Sequence, residues 1–68
     1  MNADSIVYCI AQFEMLTASF YERLSQSMND KSTSLILQLI SMDSRTHSQI
    51  LVEIAGELGF LEPPGNCR

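Results

Sequence analysis

Basic segments are missing from this sequence. Its four Lys and Arg residues are scattered singly among eight Asp and Glu, for a net charge of −4. It therefore offers no positive stripe for nucleic acid. Also missing is any run near the ~18 uninterrupted apolar residues of a membrane-crossing helix. Met1–Ser5 holds no basic residue, so it does not read as the start of a secretory signal. There is no glycine-rich phosphate loop and no zinc-type spacing, and the two cysteines, Cys9 and Cys67, form no CxxC. No stretch alternates with period two, so no strands are expected. Serines are many, but nothing places a base beside one of them, which leaves a hydrolase or transferase without support. Glycine and proline are scarce and confined to the last stretch of chain, at Gly56, Gly59, Pro63, Pro64 and Gly65.

What is present is an apolar content of 46% with 18% charged residues, the composition of a folded chain rather than a disordered one. Sixty-eight residues make one small domain, here residues 1–68 with a Pro/Gly-containing tail over 60–68. The expected class is all-α: an antiparallel hairpin of helices at about 4–28 and 32–58. Asn2 or Asp4 can cap the first helix. Its stripe runs through Ile6, Cys9, Ile10, Phe13, Leu16, Thr17, Phe20, Tyr21, Leu24 and Met28. Asn29–Ser32 is the break, with Asp30 or Ser32 as the next N-cap. Gly59 is placed as the glycine after the second helix, and Pro63–Pro64 ends any continuation. Gly56 weakens the last turn by ~1 kcal/mol relative to alanine.

One hairpin gives each wide apolar stripe a single neighbour, which is too little burial to offset chain entropy. The expectation is a homo-oligomer in which two hairpins make a four-helix bundle. Tyr8 and Met15, flanked by Ala11 and Ala18, are read as a strip on the far side of the first helix. That strip is the candidate surface for further assembly or for a protein partner.

The one histidine, His47, falls at ~100° per residue on the line of Ile36, Ile40, Ile54 and Leu58, so its ring is expected to point into a core. Asp43, one turn earlier, shares that face. Folding the chain at residue 30 or 31 pairs positions whose numbers sum to about 61, which sets Glu14 opposite His47. Thr17 and Tyr21 beside Glu14 read as core or supporting groups. Cys9, in line with Phe13, Leu16 and Phe20, reads as a small core residue. Cys67 reads as exposed; a bond between the two stays open but nothing calls for one, so the simplest expectation is a reduced, cytoplasmic protein.

The segment Phe13-Glu14-Met15-Leu16 with Ser44-Arg45-Thr46-His47 resembles the ferritin-like superfamily, in particular the one-hairpin subunits of encapsulated ferritins and the half-bundles of rubrerythrin-type proteins. In that family a first-helix Glu and a second-helix Glu-x-x-His point inward, and two such hairpins surround paired iron ions. The resemblance covers roughly residues 5–58. Ser44 stands where the family has the second-helix Glu, and Asp43 is the substitute carboxylate on offer. What the resemblance implies is a metal site of Glu14, Asp43 and His47 between subunits, for iron or manganese, with at most weak oxidase activity. Set beside it is a metal-free oligomerisation or adaptor module, in which the same three residues form a buried polar network.

Overall fold

The computed structural model describes residues 2–62 and 67 of the chain. Among them, two long helices make up all of the regular structure, α1 over Ala3–Ser27 and α2 over Lys31–Glu57. Each begins and ends one residue earlier than its expected range. The Asn2 side chain caps α1 by accepting from the Ser5 amide at 2.9 Å. Asp30 caps α2, accepting from the Thr33 amide at 2.8 Å and its hydroxyl at 2.6 Å. Those two bonds, the side-chain one first, hold the Asp30 carboxyl below its ordinary value of 3.8. At the far end Gly59 takes φ +71°, a conformation that favours glycine. Gly59 N–H donates to the Gly56 carbonyl at 3.1 Å and Phe60 N–H to that of Ala55 at 2.9 Å, the paired bonds of a Schellman ending. The expected stop at Pro63–Pro64 lies outside the described residues.

The helices pack against each other as an antiparallel hairpin, but not through the large apolar stripes. The buried residues are Ala11, Ala18 and Ser25 on α1 and Ser41, Ser44, Ser48 and Ala55 on α2. Most recur at seven-residue intervals, so small side chains line the whole seam and the two backbones can come close. Three hydroxyls then cross it. Ser34 donates to the Ser25 carbonyl at 2.9 Å, Ser41 to that of Ala18 at 2.8 Å, and Ser48 to that of Ala11 at 2.8 Å. Ala11 and Ala18 are therefore the inner face of α1, which corrects the reading that put them on its far side.

Many of the large apolar side chains are left outside. Phe13, Leu16 and Phe20 on α1, Ile36 and Leu39 on α2, and Leu58 just after it are each more than half exposed. The Cα positions span 43 × 22 × 12 Å, an elongated slab. The radius of gyration is 14.2 Å, against ~11 Å for a compact chain of this length. The accessible surface is 5108 Å², against ~4,300 Å² for a compact monomer of this mass. A domain normally has two packed layers, and this hairpin has one.

Candidate functional site

Glu14 and His47 meet across the two helices at the level that the turn position sets, with Glu14 Oε2 3.3 Å from His47 Nδ1. A carboxylate can only accept, so the contact is a hydrogen bond when Nδ1 carries the proton. In the neutral ring that leaves Nε2 as the free lone pair. The pair borders a shallow hollow whose walls are Ile50 and Leu51.

The contact also fixes which surfaces share a side. At ~100° per residue, Ile6, Ile10, Phe13 and Leu24 lie on the Glu14 flank of α1, while Ile36, Ile40, Ile54 and Leu58 lie on the His47 flank of α2. The two flanks form one broad apolar face with the acid and the imidazole near its middle. The opposite side is mixed: Arg45 pairs with Glu22 at 3.1 Å, beside Gln26, Gln38 and the exposed Met42 in a shallow groove. Sequence reasoning missed this ion pair. Its residue numbers sum to 67 rather than 61, because two long side chains reach along the axis. As an exposed pair it stabilises the hairpin by no more than ~1 kcal/mol.

His47 does not point into a core within the chain; its side chain is 61% exposed, against 26% for Glu14. The physical reason is the choice of seam: once Ser48 and Ser44 face α1, position 47 is carried to the flank. Asp43 is exposed, and among the described residues it makes no side-chain hydrogen bond or ion pair. Ser44 is buried in the seam. The Thr17 hydroxyl bonds to the Phe13 carbonyl of its own helix at 3.0 Å, and Tyr21 is half-buried edge-on to Phe20. Neither touches Glu14 through a hydrogen bond.

Among the described residues, no three His, Cys, Asp or Glu side chains converge in one chain. What the hairpin supplies is a donor pair. Two ligands at right angles, each ~2.1 Å from a cation, stand ~3 Å apart. The Glu14–His47 separation of 3.3 Å fits that, with the metal replacing the shared proton. Carboxylate oxygen and imidazole nitrogen suit iron or manganese, but two donors are fewer than either ion needs.

The cysteines are placed otherwise than expected. Cys9 and Cys67 form a disulfide, with Cα atoms 5.3 Å apart. Neither is a free thiol. Residues after α2 fold back on α1, where the Tyr8 hydroxyl donates to the Phe60 carbonyl at 3.3 Å. The Leu61 amide donates to Asp4 Oδ2 at 3.1 Å. Tyr8 and Met15 are half-buried rather than an open strip.

No family of known proteins matches this chain, and neither does any curated protein or solved structure.

Proposed function

We propose that this chain is half of a ferritin-like four-helix bundle, self-assembling so that two copies hold iron or manganese between them through Glu14, Asp43 and His47. One observation carries the reading: the Glu14–His47 pair lies in the middle of an apolar face that none of the other described residues covers. A second copy is the occupant proposed. The 43 × 22 Å outline of the Cα positions bounds that face at about 900 Å², room for the ~800 Å² that each partner brings to a standard interface. Two copies would bring four carboxylates and two imidazoles, enough donors for a metal pair. The bound metal would supply Lewis acidity or a weak oxidase activity. The chain's own part would be to hold the donors and exclude water with Phe13, Ile40 and Ile54.

A second reading keeps the assembly and drops the metal. Its support is Ser44, an uncharged group turned into the seam, and Asp43, which makes no side-chain hydrogen bond or ion pair among the described residues. In that reading the protein is an oligomerisation or adaptor module with a polar network in its interface. A partner docking on Tyr8 and Met15 is a third reading, and it would share that strip with Phe60.

Among the described residues, no helix is long and apolar enough to cross a membrane. A cytoplasmic location loses its argument from free thiols, because a disulfide persists mainly in oxidising compartments.

Sedimentation during anaerobic Fe(II) or Mn(II) titration tests both layers of the proposal. The parent should sediment at no less than twice 7.6 kDa and bind metal only when assembled. His47→Leu should abolish binding. A folded monomer at micromolar concentration would overturn the assembly. A metal-free oligomer whose melting ignores chelator would leave the second reading.

A further inference from the structure

The hairpin is tied at both ends. Met28–Asp30 joins the helices at one, and at the other the residues after α2 return to the first turns of α1. Three ties act there: Tyr8 to Phe60, Asp4 to Leu61, and the Cys9–Cys67 bond. The first two are single hydrogen bonds near solvent, each worth about fivefold in a folding equilibrium. The third is covalent and closes a loop with a sequence separation of 58. By chain entropy, a cross-link over such a loop shifts the folding equilibrium by about a thousandfold.

That factor is large for this chain because its seam supplies so little. Among the described residues the buried apolar side chains are only those of Ala11, Ala18 and Ala55; larger ones such as Leu24, Leu37 and Leu51 are no more than part-buried, and an alanine removes far less apolar surface from water than a leucine. A lone hairpin cannot draw much stability from such a core.

We propose that the Cys9–Cys67 disulfide is a redox clasp that decides whether a single hairpin stays folded. Closed, it holds the chain as a preformed slab whose apolar face is ready to meet a partner. Opened, the chain keeps its helices only by associating, so assembly and folding become one step. Opening is thiol–disulfide exchange with a dithiol. One thiolate attacks a sulfur of the pair and forms a mixed disulfide, and the second thiol resolves it. Two electrons and two protons pass to Cys9 and Cys67 as thiols, and the dithiol leaves as its cyclic disulfide. The clasp is independent of whether the face binds metal.

The test uses the full chain, oxidised or treated with dithiothreitol, and follows helical circular dichroism on serial dilution. Intact mass first establishes that the bond lies within one chain. The oxidised protein should sediment as an assembly at micromolar concentration and keep its helical signal on dilution below the range in which it associates. The reduced protein should lose it as concentration falls, with a midpoint at least tenfold higher in concentration than any seen for the oxidised form. Cys67→Ser should behave as the reduced parent does and ignore dithiothreitol. Identical dilution curves for the oxidised and reduced parent would overturn the proposal, as would a disulfide joining two chains.

Discussion

The Ser48 hydroxyl lies 2.8 Å from the carbonyl oxygen of Ala11, and Ser41 repeats that contact with Ala18 one heptad away. Each pair of numbers sums to 59, as does that of Ser34 and Ser25. The rungs fix the height of one helix against the other. Glu14 and His47, at a sum of 61, are held at one level by this seam rather than by their own weak contact.

The seam leaves Ala18, like Ala55, no room for bulk. Ala18 is fully buried, at 0% exposure, with α2 packed directly over it. Ala18→Leu should destabilise the hairpin by about 1–3 kcal/mol, the usual cost of overpacking. Denaturant melts at fixed protein concentration would measure it. Unchanged stability would mean that the helices do not meet through this face.

Ser44→Glu is the sharpest check on the ferritin-like resemblance. It places a carboxylate at a buried seam position, so the metal-free variant should be less stable than the parent. If the resemblance holds, metal at a hundredfold excess over Kd should return ~2.7 kcal/mol, seen as a rise in Tm that chelator reverses. A variant that is destabilised and gains nothing from Fe(II) or Mn(II) would remove residue 44 from any metal site.

Acid should weaken the start of α2. Because the two Thr33 bonds hold the folded Asp30 carboxyl below its ordinary 3.8, ionised Asp30 stabilises the folded state above that value. That contribution is lost as pH falls through the lower folded pKa. Asp30→Ala should therefore lower Tm at neutral pH, and the gap from the parent should close in strong acid. A gap that stays constant down the whole acid range would show that the carboxylate charge plays no part in the cap.

Gly56→Ala should be stabilising. A Cβ added at Gly56 meets nothing within 4 Å, and the position is helical and exposed. Alanine in place of an interior helical glycine contributes about 0.5–1 kcal/mol, an upper bound for Gly56 in the last turn of α2. If the oxidised protein melts lower with this change, residue 56 lies against something that a single chain does not show, and the assembly interface extends past Ile54.

The ends of both helices were legible in the sequence because they are decided locally. Asn2, Asp30 and Gly59 each act on amides or carbonyls within a few residues, and no distant contact is needed to place them. The level of Glu14 against His47 was legible too, since a fixed rise per residue and a short turn leave little freedom in an antiparallel pair. Which faces meet was not. Periodicity finds a stripe of large apolar residues, but it does not say whether that stripe meets the sister helix or something outside the chain. Here the closest approach belongs to Ala11, Ala18, Ser41 and Ser48, whose weak hydropathy hides a seven-residue repeat that was present to be read. Their small size and serine hydroxyls turned the stripe of Phe13, Ile36 and Leu58 outward and carried His47 with it. The Cys9–Cys67 bond likewise belongs to the tertiary structure alone. Two cysteines 58 positions apart become neighbours only because α2 returns the chain to where α1 began.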